Sequence, residues 1–142
     1  MFMDALKMSL PADAVLGFLF YMAGAAVLFA LYAFIYTRLT PYNEFALIRE
    51  GNSAAAIALG GALLGFAIPV SGAISHSISL LDFLLWSVIA GAVQLLAFVV
   101  VSVVVKGMDE RIRRQENAAA ILLAAVAIGI GMLNAACMTP AA

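Results

Sequence analysis

Four long windows without a single Asp, Glu, Lys or Arg decide what this chain can fold into. They are Ala14–Thr37, Gly51–Leu81, Phe83–Val105 and Asn117–Ala142. A helix crosses the hydrocarbon core of a bilayer with about 20 mostly apolar residues, at about 1.5 Å of rise each. Every window clears that length, and together they take up most of the 142 residues. The chain is therefore expected to be a single all-α membrane domain over 1–142, with four transmembrane helices near 14–36, 53–74, 83–105 and 118–138. Composition agrees: 66% of residues are hydrophobic and 11% charged, against about 45–50% and about 25% in soluble domains. A soluble enzyme, a disordered tail and a disulfide-stapled secreted domain are excluded. The net charge of −1 offers no basic face for nucleic acid.

The N-terminus reads as an uncleaved first span rather than a signal peptide. Asp4 and Asp13 surround its one lysine, Lys7, and the apolar stretch runs on to Ile35, which is span length. Cys137 is the only cysteine, so no internal disulfide forms, and the thiol is expected to be buried and inert.

Loop charge sets the direction of the spans. Lys and Arg collect on the cytoplasmic side, and they count for more than Asp and Glu. The first connection carries Arg38 and Arg49, and the third carries Lys106, Arg111, Arg113 and Arg114. The segment before span one has Lys7, the second connection has no basic residue, and none follows span four. Both termini are thus expected outside, with both charged loops in the cytoplasm. Asp13, Asn52, Asp82 and Asn117 stand where the spans begin, as residues whose side chains accept from free helix N–H groups should. Tyr36 and Tyr42 are expected to flank the cytoplasmic end of span one, and Trp86 to anchor span three at an interface.

The chain also matches itself. REGNSAAAIALGGALLG from Arg49 and RRQENAAAILLAAVAIG from Arg113 share Arg, the Ala-Ala-Ala-Ile run, Leu and the last Gly under the single shift that takes Arg49 to Arg113. The asparagines align better one position further on. Each copy follows a charged loop and opens an even-numbered span. This predicts two helical hairpins in the same orientation, about 14–75 and 82–138, a parallel repeat.

An inner loop, an Asn, an Ala-rich run with Ile and then glycines is a pattern that resembles the YjfL-like family of small bacterial inner-membrane proteins. The matching residues are Asn52, Ala54, Ala56, Ile57, Gly61, Gly65 and Pro69 in the first copy. In the second they are Asn117, Ala119, Ala120 and Ile121. The second copy lacks the proline and the double glycine, so any site built on those belongs to one half. The resemblance implies a four-span protein of the bacterial inner membrane, often encoded near envelope-stress and membrane-remodelling genes, and no catalytic residues.

Small residues mark the expected packing faces. In span two, Gly61, Gly65, Pro69 and Gly72 recur at helical spacing, and Gly61–Gly65 is a GxxxG; Gly129 is the counterpart in span four. Apolar helices in lipid associate through close backbone approach at such residues. Pro69 is expected to kink span two, with Ser71 serving the freed carbonyl. No window holds a charged residue, which argues against a proton-coupled pump or voltage sensor. The deep polar side chains are Gln94 and Asn134, read as interhelical hydrogen bonders or as the lining of a polar path. His76 and Asp82 are too few to hold a metal, and no phosphate loop or nucleophile–base pair is present. No cofactor is expected.

Two functions fit. The first is a non-enzymatic, self-associating membrane scaffold linked to envelope stress, docking a cytoplasmic or membrane protein partner through loops 38–50 and 106–116, with Arg111, Arg113 and Arg114 as contact residues. Asn52 and Asn117 cap its cytoplasmic helix starts. The second is a small oligomeric channel or transporter with a path near spans two and three.

Overall fold

Each charge-poor window becomes one long helix, and each charged connection holds one short one. The computed structural model describes residues 1–138, and its seven helices are α1 (Phe2–Ser9), α2 (Ala12–Leu39), α3 (Glu44–Arg49), α4 (Ser53–His76), α5 (Leu80–Val104), α6 (Met108–Arg113) and α7 (Asn117–Ala136). The helices α2, α4, α5 and α7 are long and apolar enough to span a membrane. No strand occurs among the described residues.

Helix starts differ from the sequence reading in instructive ways. Asp13 does not precede α2; it lies in the first turn, after Pro11 at the cap position. Pro11 has no N–H to give and restrains Leu10 before it, which separates α2 from the short, fully exposed α1. In α5 the cap is Ser79, whose hydroxyl accepts from the Asp82 N–H at 3.1 Å, while Asp82 Oδ2 accepts from the Ile78 N–H at 3.2 Å. That reciprocal exchange satisfies two free donors and starts the helix ahead of the expected Phe83.

The pairing offsets give the topology. Ser53 meets Asn117, Gly61 meets Ala124 and Gly72 meets Ala135, so the separation stays near-constant and α4 runs parallel to α7. Gln94 meets Ala127 while Asn134 meets Ala90, so α5 runs antiparallel to α7. Gly24 meets Phe83 and Tyr36 meets Phe98, so α2 runs parallel to α5.

The α4–α7 seam is the closest contact in the molecule. A Cβ on Gly61 would overlap Ala124, one on Gly65 would stand 2.5 Å from the Ala127 carbonyl oxygen, and one on Gly131 would overlap the Gly65 carbonyl. Pro69 explains that last approach. Its ring nitrogen carries no hydrogen, so the Gly65 carbonyl lacks its usual helical donor. Ser71 is exposed and does not serve it; the backbone of Gly131 covers it instead, the geometry in which a Cα–H contributes a weak hydrogen bond. Pro69 is fully buried within this seam and α4 continues through it to His76.

Around the seam lie two buried clusters. One joins Ala54, Ala55 and Ala58 to Met108, Ile112, Ala119, Ala120 and Leu123. The other joins Tyr32 and Tyr36 to Phe66, Val70 and Phe83. Helix α2 sits at the edge. Only its Tyr32 and Tyr36 are buried, Tyr32 stacked on Phe66 with centroids 4.3 Å apart, and Tyr36 edge-on to Phe98 at 4.9 Å. Tyr32 and Tyr36 are core; Tyr36 and Tyr42 do flank the end of α2 at Leu39, but both are buried. Phe18, Phe20, Phe29 and Phe34 point outward, as lipid-facing residues do. Cys137, expected to be buried, is exposed.

Helices α3 and α6 close in the same way. The Asn52 N–H donates to the Leu47 carbonyl and the Gly51 N–H to Ile48; at the equivalent positions of the second hairpin the Glu116 N–H donates to Arg111 and the Gln115 N–H to Ile112. This paired closure needs a left-handed residue after the helix. Gly51 supplies it at φ +88°, without a steric cost, and Gln115 at φ +60°, against one.

Candidate functional site

The end of the bundle that carries α3 and α6 is also where the charged residues gather, and it is built as a closed layer. Asn52 is its pivot. The Asn52 Oδ1 accepts from the Ala55 N–H at 3.0 Å and so caps α4, while Nδ2 donates to the Ile112 carbonyl at 2.9 Å. One buried side chain thus fixes the start of α4 and the end of α6. Met108 and Ile112 press the inner face of α6 onto α4 and α7, leaving Glu110, Arg111 and Arg113 outward. Arg113 crosses to the other loop and donates to the Pro41 carbonyl at 2.8 Å.

Within this layer, at the start of α3, sits a buried carboxylate. Glu44 is 2% exposed and accepts a hydrogen bond from the Thr40 hydroxyl. Burial pushes its pKa up, against the lowering effect of that bond. Burial also raises the Tyr42 phenol, with Glu44 and Asp109 adding to it and Arg113 opposing. Folded Glu44 holds its proton more tightly than the unfolded chain does, so its contribution is complete below about 4.5 and is lost as pH rises through the raised folded value. Unfolding titrations in mixed micelles should show stability falling from acid toward neutral pH. Glu44→Gln should remove most of that slope; an unchanged slope in the variant would assign it elsewhere.

Deeper in the bundle lies a second polar group. Gln94 is 3% exposed and donates through Nε2 to the Ala127 carbonyl at 2.9 Å, beside Gly65, where a side chain would leave it no room. Asn134 donates to the Ala90 carbonyl at 3.2 Å. Both bonds tie α5 to α7.

Over residues 9–138 the sequence matches the family described as Domain of Unknown Function (DUF350). The chain belongs to the DUF350 family. The UPF0719 inner membrane protein YjfL of Escherichia coli K12 is 37% identical over 127 residues, 89% of this chain and 96% of that protein. The UPF0719 transmembrane protein YshE of Bacillus subtilis 168 is 25% identical over 118 residues, 82% of this chain and 88% of that one. No solved structure matches. The resemblance read from the Asn and Ala-Ala-Ile pattern is therefore a family relation, and this DUF350 protein is a multi-pass protein of the inner membrane.

Within the DUF350 chain the expected site residues fall into different places. Gly61, Gly65, Pro69 and Gly72 line the α4–α7 seam. Gly129 does not: a Cβ there would meet nothing within 4 Å, and Gly131, further along the helix, takes the contact. The helix turns Gly129 about 200° away from Gly131, since successive residues step by about 100°. Asn52 caps its helix, but Asn117 does not. Asn117 is the first residue of α7, the cap position belongs to Glu116, and the Asn117 side chain accepts from the Ser53 hydroxyl at 2.9 Å on the surface. Arg111 and Arg114 lie 3.7 Å and 3.8 Å from Glu116 in exposed ion pairs. His76 is exposed and bonds back to the Gly72 carbonyl at 2.9 Å, and no metal-holding cluster occurs among the described residues.

Sequence reasoning passed over Glu44 and Gly131, and placed Tyr36 at an interface rather than in the core. Glu44 sits in a charged loop and reads as solvated, Tyr36 at a helix end reads as interfacial, and Gly131 sits in a helix rich in small residues. A weak signal existed for Glu44 alone: Asn43-Glu44 opens α3, with Asn43 accepting from the Ala46 N–H at 3.1 Å.

Proposed function

We propose that this DUF350 protein is a membrane-embedded docking platform rather than an enzyme, and that its working surface is the charged layer of α3 and α6. The observation that carries this is the construction of that layer. Asn52, Arg113 and the buried pair Met108–Ile112 lock two loops into one face from which exposed charges project. A preordered face loses little entropy when a partner binds. Arg38, Arg49, Lys106, Arg111, Arg113 and Arg114 lie at this end, which supports a cytoplasmic location for it and a periplasmic one for both termini. The partner is then a cytoplasmic protein, or the cytoplasmic part of a membrane protein. A role in envelope stress, which the resemblance implies, is part of this reading.

The matching closures of α3 and α6, and the parallel course of α4 beside α7, support a duplicated hairpin as the origin of the fold. The small-residue faces are occupied within the chain, so they no longer argue for a homo-oligomer. The channel reading gains little from the single chain, because the polar groups around Gln94 enclose only a small cavity.

The double reversal Arg111→Glu with Arg114→Glu tests the platform. It spares Arg113, whose bond to Pro41 is structural. The expected result is at least a tenfold loss of a partner co-purified with the wild type, from membranes where the variant inserts normally. Recovery of the same partner in the same amount would sink the proposal.

A further inference from the structure

Among the described residues, four buried side-chain oxygens lack a hydrogen-bond partner: Tyr36 Oη, Ser87 Oγ, Gln94 Oε1 and Ser102 Oγ. The two serines have a local remedy, since a hydroxyl on a helix can rotate to the carbonyl one turn back. Tyr36 and Gln94 have none, because their polar ends stand several bonds away from their own backbones. In a bilayer no solvent meets the need from outside, and an unsatisfied polar group there is expensive. Yet both oxygens belong to residues lining one cavity, between α2, α4, α5 and α7.

That cavity has a definite size and chemistry. Its volume is about 10 Å³, close to the smallest space that houses a water molecule by this measure. Tyr32, Ala62, Ala97, Phe98 and Leu123 supply apolar or aromatic walls, and no lining residue is charged. A neutral occupant is required. It must accept from a phenol and donate to an amide oxygen, since Gln94 has already committed an Nε2 hydrogen to Ala127.

We propose that this cavity is a binding site for one structural water, which accepts from the Tyr36 hydroxyl and donates to Gln94 Oε1. The inference is independent of the docking platform. Water alone among common small molecules fits the size, the neutral charge and the donor–acceptor pattern together. Two fixed partners lie at the low end of the roughly two to four that buried waters make. The bridge has a consequence for α2, which is held to the bundle by few buried residues: Tyr36 reaches α5 through the water as well as through its ring contact with Phe98.

The test is water-edited solid-state NMR on the full chain in lipid bilayers, with ¹⁵N-labelled glutamine. Gln94 and Gln115 are the only glutamines, and Gln115 is exposed, so it reports solvent transfer in every sample. The expected result is a water-derived signal on the Gln94 side-chain amide despite its depth, falling at least twofold in Tyr36→Phe. A Gln94 amide that stays dark in the wild type overturns the proposal, whatever the variant does. A signal that is undiminished in Tyr36→Phe overturns the bridge. Tyr32→Phe lines the same cavity but leaves both bridge partners in place, and should keep the signal; an equal loss there would point to general loosening and count against the assignment.

Discussion

Gly131→Ala is expected to destabilise the protein by about 1–3 kcal/mol or more, while Gly129→Ala, on the same helix, leaves stability unchanged or raises it by about 0.4–1 kcal/mol. The opposite signs come from one geometric difference. A methyl group on Gly131 would fall on the Gly65 carbonyl, which is backbone and has nowhere to retreat without parting α4 from α7. A methyl group on Gly129 meets nothing within 4 Å, so only the gain in helix propensity remains. Separation of this seam would also remove the cover from the carbonyl that Pro69 leaves without its donor. Reversible unfolding by titration with a denaturing detergent measures both variants on one scale. Equal effects at the two positions would show that the seam is not where the geometry puts it.

Asn52→Leu should cost about 1–3 kcal/mol, combining a lost helix cap with a lost hydrogen bond to the Ile112 carbonyl, which keeps only the Gln115 N–H. The comparison is Asn117→Ala, which gives up an exposed bond to Ser53 and should stay within about 0.5 kcal/mol. A second readout separates a cap from a bridge. Asn52→Asp keeps an acceptor for the Ala55 N–H but removes the donor to Ile112, so it should restore the start of α4 and still loosen α6. Hydrogen exchange at the Arg111 to Gln115 amides reports that loosening. Protection equal to wild type in Asn52→Asp would show that the bond to Ile112 holds nothing in place. These effects also bear on the proposed docking face, because Asn52 bonds the helix that displays Arg111.

Both predictions turn on residues that look alike in the sequence. Two asparagines stand at the starts of two similar helices, and two glycines stand in one Ala-rich span. For the glycines the sequence offers no ranking; for the asparagines the repeat holds a clue, since they fall one position out of step with the rest of it. Under the shift that takes Arg49 to Arg113, the partner of Asn52 is Glu116, and Glu116 is the residue at the cap position of α7. The Asn match is a match of letters rather than of position. Glu44 is hidden by a different cause. It stands in a connection whose ends carry Arg38 and Arg49, yet it is 2% exposed and accepts from the Thr40 hydroxyl, a burial that no local pattern of residues announces.

The sequence by itself determined that this is a membrane protein of four long helices, where each helix runs to within a few residues, and which connections carry the charge. Those properties are local sums: a run of about 20 apolar residues must hold its own backbone hydrogen bonds in lipid, whatever surrounds it. Only the tertiary structure decided which faces turn inward, that α4 lies against α7, that Gly131 rather than Gly129 makes the contact, and that Tyr36 and Glu44 are buried. The reason is that lipid is as apolar as the protein interior, so a spanning helix carries no polar stripe to mark its outer face. Its rotation is set by the fit of two surfaces, and a single chain of letters describes each surface without saying which one it will meet.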